Sequence, residues 1–148
     1  MGPSDLPARQ LLMRIATWYG DEDSLRRHAA TLPRDLLPRE TGFLLLHAHY
    51  VLGGIDPAGI DQMFASQLER LAFSGRVLSN LHQVMAEAHA ARGELDRALG
   101  HLGSAAGSAL IDLDWLENCP LLDRLRPMGG FIAAQDRARR RAEPLRRL

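Results

Sequence analysis

Lysine is absent, and all 18 basic residues are arginine. That usage reflects a GC-rich genome and carries no function. Cysteine occurs once, at Cys119. One thiol makes neither an internal disulfide nor a thiolate zinc cluster, so a reducing cytoplasm is the expected setting. Net charge is missing too, with 18 acidic residues against the 18 arginines. A neutral chain is not a general nucleic-acid or membrane-surface binder, although local patches can still act. No apolar run approaches the roughly 20 residues that span a bilayer. The longest, around Phe43 to Leu52, is interrupted by His47 and His49. Met1-Gly2-Pro3-Ser4-Asp5 lacks the charged-then-apolar layout of a secretion signal. Aromatic residues make up only 5%. The apolar content is instead mostly Leu and Ala, which favour helices over strands.

Apolar residues recur at helical spacing along most of the 148 residues. Leu11, Leu12, Ile15, Trp18 and Tyr19 form the stripe of a first helix, stopped at Gly20-Asp21. Asp21 or Asp23 caps a second, with Leu25, His28, Ala29 and Leu32 before Pro33 ends it. Pro38 opens a third, with Phe43, Leu46, His47 and Tyr50 inward, closing at Gly53-Gly54. Asp56-Pro57 starts a fourth, presenting Ile60, Met63, Phe64, Gln67, Leu68 and Leu71. Ser74-Gly75 breaks the chain before a fifth helix from Val77 to Arg92. Gly93 separates that from a sixth, beginning at Glu94 and carrying Leu95, Ala98, Leu99, Leu102 and Ala105 or Ala106.

The pattern is helix, glycine turn, helix, repeated. Gly20 and Gly54 stand 34 residues apart, and Gly54 and Gly93 stand 39 apart. About 34 residues is the period of two-helix tetratricopeptide units, which stack to share a core. The third unit, Ser79 to Ala106, resembles the tetratricopeptide repeat (TPR) family through Ala86, Gly93-Glu94, Ala98, Leu102 and Ala105. It departs from the family at His82, where a Trp is often found, at His89, where a Tyr is often found, and at Leu110, which replaces a proline. Leu25 and Gly59 stand where the family favours Ala. The following segment, from Leu110 to Arg126 with Trp115-Leu116 and Cys119-Pro120-Leu121-Leu122, then Phe131 and Arg137 to Arg141, is similar to the end of the TPR region in bacterial eukaryotic-like serine/threonine kinases and related signalling regulators. The resemblance implies an all-α, TPR-like α-solenoid of about three antiparallel helix pairs, at 8–33, 38–73 and 77–107, in one repeat domain over 1–148. A terminal segment, 110–148, adds a short Trp-Leu helix and a capping helix. A non-TPR helical repeat or plain bundle is the alternative.

No catalytic, metal or cofactor set emerges. His47 and His49 point about 200° apart on a helix and cannot share an ion. His82 and His89 lie two turns apart on one face, too far for a shared ion without a third ligand between them, and Met85 or Ala86 fills that place. Cys119 sits in an apolar segment and reads as a small buried hydrophobe. Gly100, Gly103 and Gly107 share a helix face and suggest close approach of a neighbouring helix or a bound peptide. Arg137 to Arg141 attracts phosphates or acidic partners in principle. It lacks interleaved aromatics for base stacking and reads better as a polar end cap, which makes nucleic acid a poor expectation.

The resemblance implies a regulatory, partner-binding module rather than an enzyme. Its concave face, built from the first helix of each pair, would receive a protein or peptide, with Arg14, Thr17, His47, Gln83, Glu87 and Ala90 as contact residues. Self-association through an apolar terminal face, including Leu11, Leu12 and Trp18, is the alternative. A small-ligand-binding helical domain is a third, for which the sequence offers no convergent polar set.

Overall fold

The same closure ends the first helix of each of three helix pairs. The computed structural model describes residues 6–32, 40–70 and 74–144, so the expectations attached to Pro33, Pro38 and Leu71 fall outside it. Helices α1 (Leu6–Trp18) and α2 (Glu22–Ala30) form the first pair, α3 (Glu40–Val51) and α4 (Pro57–Arg70) the second, α5 (Gly75–Ala91) and α6 (Leu95–Gly107) the third. At the first turn the Gly20 N–H donates to Thr17 O and the Asp21 N–H to Ala16 O. Gly53 to Tyr50 with Gly54 to His49, and Gly93 to Ala90 with Glu94 to His89, repeat the pattern. Each is a Schellman closure, which satisfies orphan carbonyls and puts one residue in the left-handed region. Gly20, Gly53 and Gly93 occupy it at φ of 66, 81 and 76°. The second turning glycine is therefore Gly53 rather than Gly54, where an added Cβ would lie 2.7 Å from His49 Nδ1.

Capping side chains start the helices that follow. Asp21 Oδ1 accepts the Ser24 N–H at 2.9 Å, and Asp56 Oδ1 accepts the Gly59 N–H at 2.8 Å. Ser74, expected to break the chain, instead caps α5 by accepting the Val77 N–H at 3.4 Å. Contacts far from the turns show that each pair is antiparallel. Arg9 Nη1 donates to Thr31 O at 2.5 Å, the Phe43 and Phe64 rings meet edge-on at 5.3 Å, and Ser79 Oγ donates to Ala105 O at 3.4 Å. Among the described residues every regular element is helical and none is a strand.

The chain divides into two compact units, Met1–Ala72 and Phe73–Leu148. In the first, α1 packs on α2, and α3 packs on both. Met13, Ala16, Leu25, Leu32 and Ala48 make its core, with Ala29, Leu45, Val51 and Leu52 against them. Phe43, Leu46, His47 and Tyr50 of α3 point inward as the spacing predicts, as do Ile60 and Phe64 of α4, whereas Met63 is exposed. The expected stripe of α1 faces the other way. Leu11, Leu12, Ile15 and Tyr19 are 37 to 76% exposed, and Met13, Ala16 and Thr17 are buried. Small residues let two neighbouring helices approach α1 closely, and that closeness outweighs the larger apolar payload of the opposite face.

In the second unit, Ala86, Ala98, Leu102, Ala105 and Ala106 are fully buried along α5 and α6. Gly100, Gly103 and Gly107 lie off that contact, and an added Cβ at any of them would meet nothing within 4 Å. The expected close helix approach at these glycines does not occur. Helix α7 (Leu113–Asn118) is capped by Asp112, whose Oδ1 accepts the Trp115 N–H at 3.0 Å. A 3-10 turn (Pro120–Leu122) then leads to α8 (Gly129–Ala142), which packs on α6 and α7. Two arginines bind this terminal segment through carbonyls. Arg126 Nη2 donates to Leu116 O, Glu117 O and Cys119 O at 3.3, 2.7 and 3.2 Å. Arg141 Nη1 donates to Ala106 O and Leu110 O at 3.0 and 3.1 Å. Cationic donors thus satisfy carbonyls left open at the ends of α7 and α6.

Candidate functional site

The residues expected to line a concave face are spread over both units, and most of them serve the interior. In the first unit, Arg14 is half-buried, with its guanidinium 5.9 Å from the centroid of the Trp18 ring. This cation–π contact adds to whatever else Arg14 does. Thr17 and His47 are buried. The Thr17 hydroxyl donates to Met13 O at 2.9 Å, one turn back, and its oxygen lies 3.4 Å from His47 Nε2. With the hydroxyl proton so committed, the oxygen accepts from Nε2–H. That leaves His47 Nδ1 as a lone pair, buried and without a partner. Burial, reinforced by the nearby Arg14 charge, pushes His47 down to about 4, so the ring is neutral at ordinary pH.

In the second unit, Gln83, Glu87 and Ala90 are all buried. Glu87 is fully enclosed, and its Oε1 accepts the Trp115 indole N–H at 2.6 Å. Five of the six expected contact residues are therefore closed to a partner in this conformation. The first helix of each pair touches more than one neighbouring element, so Thr17, His47 and Glu87 are drawn into internal hydrogen bonding.

The structure assembles a cluster that spacing along one helix could not reveal. His82 and His89 stand two turns apart on α5, and His101 of α6 lies against both. His82 Nδ1 and His101 Nδ1 are 2.9 Å apart, and their ring centroids are separated by 5.2 Å. The His89 and His101 rings stack at the same centroid distance with 15° between their planes. His89 is fully buried, while His82 and His101 are half-buried. Burial, and then the neighbouring His101, lowers His82 to about 4. An antiparallel pair closed at Gly93 sets Ser79 opposite Ala105, and so sets His82 opposite His101.

Two surface features stand apart from these interiors. The outer face of α1 displays Leu11, Leu12, Ile15 and Tyr19, while Trp18, expected beside them, is half-buried. The arginine-rich α8 is partly committed, since Arg139 pairs with Glu117 at 3.3 Å and Arg141 holds two carbonyls. Cys119 is fully buried. Among the described residues no helix is long and apolar enough to cross a membrane. Comparison with family models, with curated proteins and with solved structures yields no match to this chain.

Proposed function

We propose that this chain is a non-catalytic helical interaction module, built of TPR-like helix pairs, that docks an apolar helix of a partner protein on the outer face of α1. The carrying observation is the exposed row of Leu11, Leu12, Ile15 and Tyr19. These four fall at spacings of three and four, so they form one continuous strip suited to an amphipathic helix. Water around such a strip costs free energy that docking recovers. The three identical Schellman closures and the antiparallel pairs support the TPR-like reading.

Charge favours a foreign partner over a second copy. Helix α1 carries Arg9 and Arg14 and no carboxylate. Arg9, bonded to Thr31 O, and Arg14, over the Trp18 ring, lie to either side of the strip, so a partner helix flanked by Glu or Asp suits it better than a second basic α1. The groove reading through Gln83, Glu87 and Ala90 gives way to this one because those side chains are enclosed.

The test uses a synthetic amphipathic helix with a leucine stripe and glutamate flanks, beside the same peptide with lysine flanks. Fluorescence anisotropy is expected to show the acidic peptide binding, and Leu12→Ser with Ile15→Ser weakening it by about tenfold or more. Equal binding of both peptides, or of the variant, would sink the proposal. Concentration-dependent dimerisation in sedimentation velocity, abolished by the same substitutions, would transfer the surface to self-association.

A further inference from the structure

We propose that His82 and His101 form a binding site for a divalent transition-metal ion of the Cu2+ or Ni2+ type, with His89 as the ring that positions His101. The site lies wholly within the α5–α6 pair and does not depend on the α1 surface.

The geometry carries the argument. A shared ion on α5 alone is impossible, because two turns separate His82 from His89. The antiparallel partner helix closes that gap by placing His101 against both, with Nδ1 only 2.9 Å from His82 Nδ1. Two nitrogens at that separation, each about 2.05 Å from an ion, subtend about 90° at it. That is the cis angle of tetragonal coordination, which Cu2+ and Ni2+ favour, and it is narrower than the tetrahedral angle Zn2+ prefers. Imidazole is a suitable ligand for all three ions, and the general affinity order places copper first.

The surroundings fit a ligand pair. Without an ion, one Nδ1–H donates to the other Nδ1. On binding, the donor ring passes to its Nε2–H tautomer, and the His82 ring turns about the soft χ2 torsion so that its lone pair converges with that of the held His101 ring. His89 lies fully buried beneath, and its stacking fixes the plane of His101. A held ring loses less freedom when it binds, the usual contribution of residues behind a ligand. Half-burial of His82 and His101 leaves an ion a route from solvent.

The full chain, stripped of metal with a chelator, is titrated with Cu2+ and Ni2+ by calorimetry. One ion per chain is expected, with copper bound more tightly. His82→Gln and His101→Gln each abolish the stoichiometric site. His89→Phe, which keeps a ring to stack, stays within a few-fold of wild type, and His89→Ala weakens binding by about tenfold. His28→Gln with His49→Gln leaves it unchanged. The copper complex of the wild-type chain gives an electron paramagnetic resonance spectrum with hyperfine splitting from two imidazole nitrogens. That reading holds even if a variant unfolds. No stoichiometric uptake, uptake undiminished in folded His101→Gln, or a copper spectrum without imidazole nitrogen would each overturn the site.

Discussion

Glu87→Ala tests most directly whether a polar residue on a first helix faces a partner or the interior. Glu87 is fully buried and Trp115 is 4% exposed, with 2.6 Å between Oε1 and the indole nitrogen. Truncation leaves the indole N–H buried without this acceptor, which costs about 1–3 kcal/mol. The space left by the side chain adds to that, so about 3 kcal/mol of destabilisation is expected in total. Glu87→Gln keeps an acceptor oxygen and costs about 1 kcal/mol. Trp115→Phe in turn leaves the carboxyl without the indole donor and costs about 2 kcal/mol. The double variant then falls short of the sum by a coupling of about 1–2 kcal/mol. Urea unfolding followed by far-UV circular dichroism compares all four variants with wild type without relying on the tryptophan as a reporter. A surface residue would behave differently, with Glu87→Ala within about 0.5 kcal/mol of wild type. Coupling below about 0.3 kcal/mol would refute the internal role and return Glu87 to the binding surface.

Acid should weaken the first unit through His47. Its folded value near 4 lies below the ordinary histidine value of 6.5, so the unfolded chain binds the proton first as pH falls. The associated stability is complete above pH 6.5 and disappears progressively towards pH 4, amounting to about 3 kcal/mol. His47→Leu should flatten the pH 4 to 6.5 limb of the denaturation midpoint, and an unchanged limb would assign the acid sensitivity elsewhere. Arg126→Ala strips three carbonyls around the end of α7 of their common donor and should cost about 2 kcal/mol. Hydrogen exchange at the following amides, those of Cys119, Leu121, Leu122 and Asp123, should accelerate with it, and unchanged protection there would count against the clasp. Gly93→Ala forces a Cβ into φ of 76° and should lower stability by about 1–2 kcal/mol, read as a fall in urea midpoint.

Local chemistry made much of the chain legible. Leu and Ala at helical spacing, Asp21 and Asp56 as caps, and glycines between helices locate six helices to within a few residues. Such signals act over one or two turns, so the residues nearby are enough to express them. Even here the turn at Gly53-Gly54 shows a limit, since either glycine can reverse the chain and the packing of His49 selects Gly53. Gly75 likewise passed for a breaker because its role depends on the Ser74 cap just before it.

Sequence by itself determined the helical class, the pairing across glycine turns and the burial of Cys119. Tertiary structure decided which face each helix buries and which distant residues meet. On α1, large apolar side chains marked the obvious stripe, yet Ala16 and Thr17 are buried because helix–helix distance is set by the smallest residues at the crossing. Arg126 and Arg141 became carbonyl donors only because the ends of α7 and α6 came within their reach. Glu87 found Trp115 across 28 residues, and His82 found His101 across 19. Periodicity along one helix reports direction around its own axis only. Partners across the sequence are fixed by the register and approach of separate helices, which depend on the packing of all of them together.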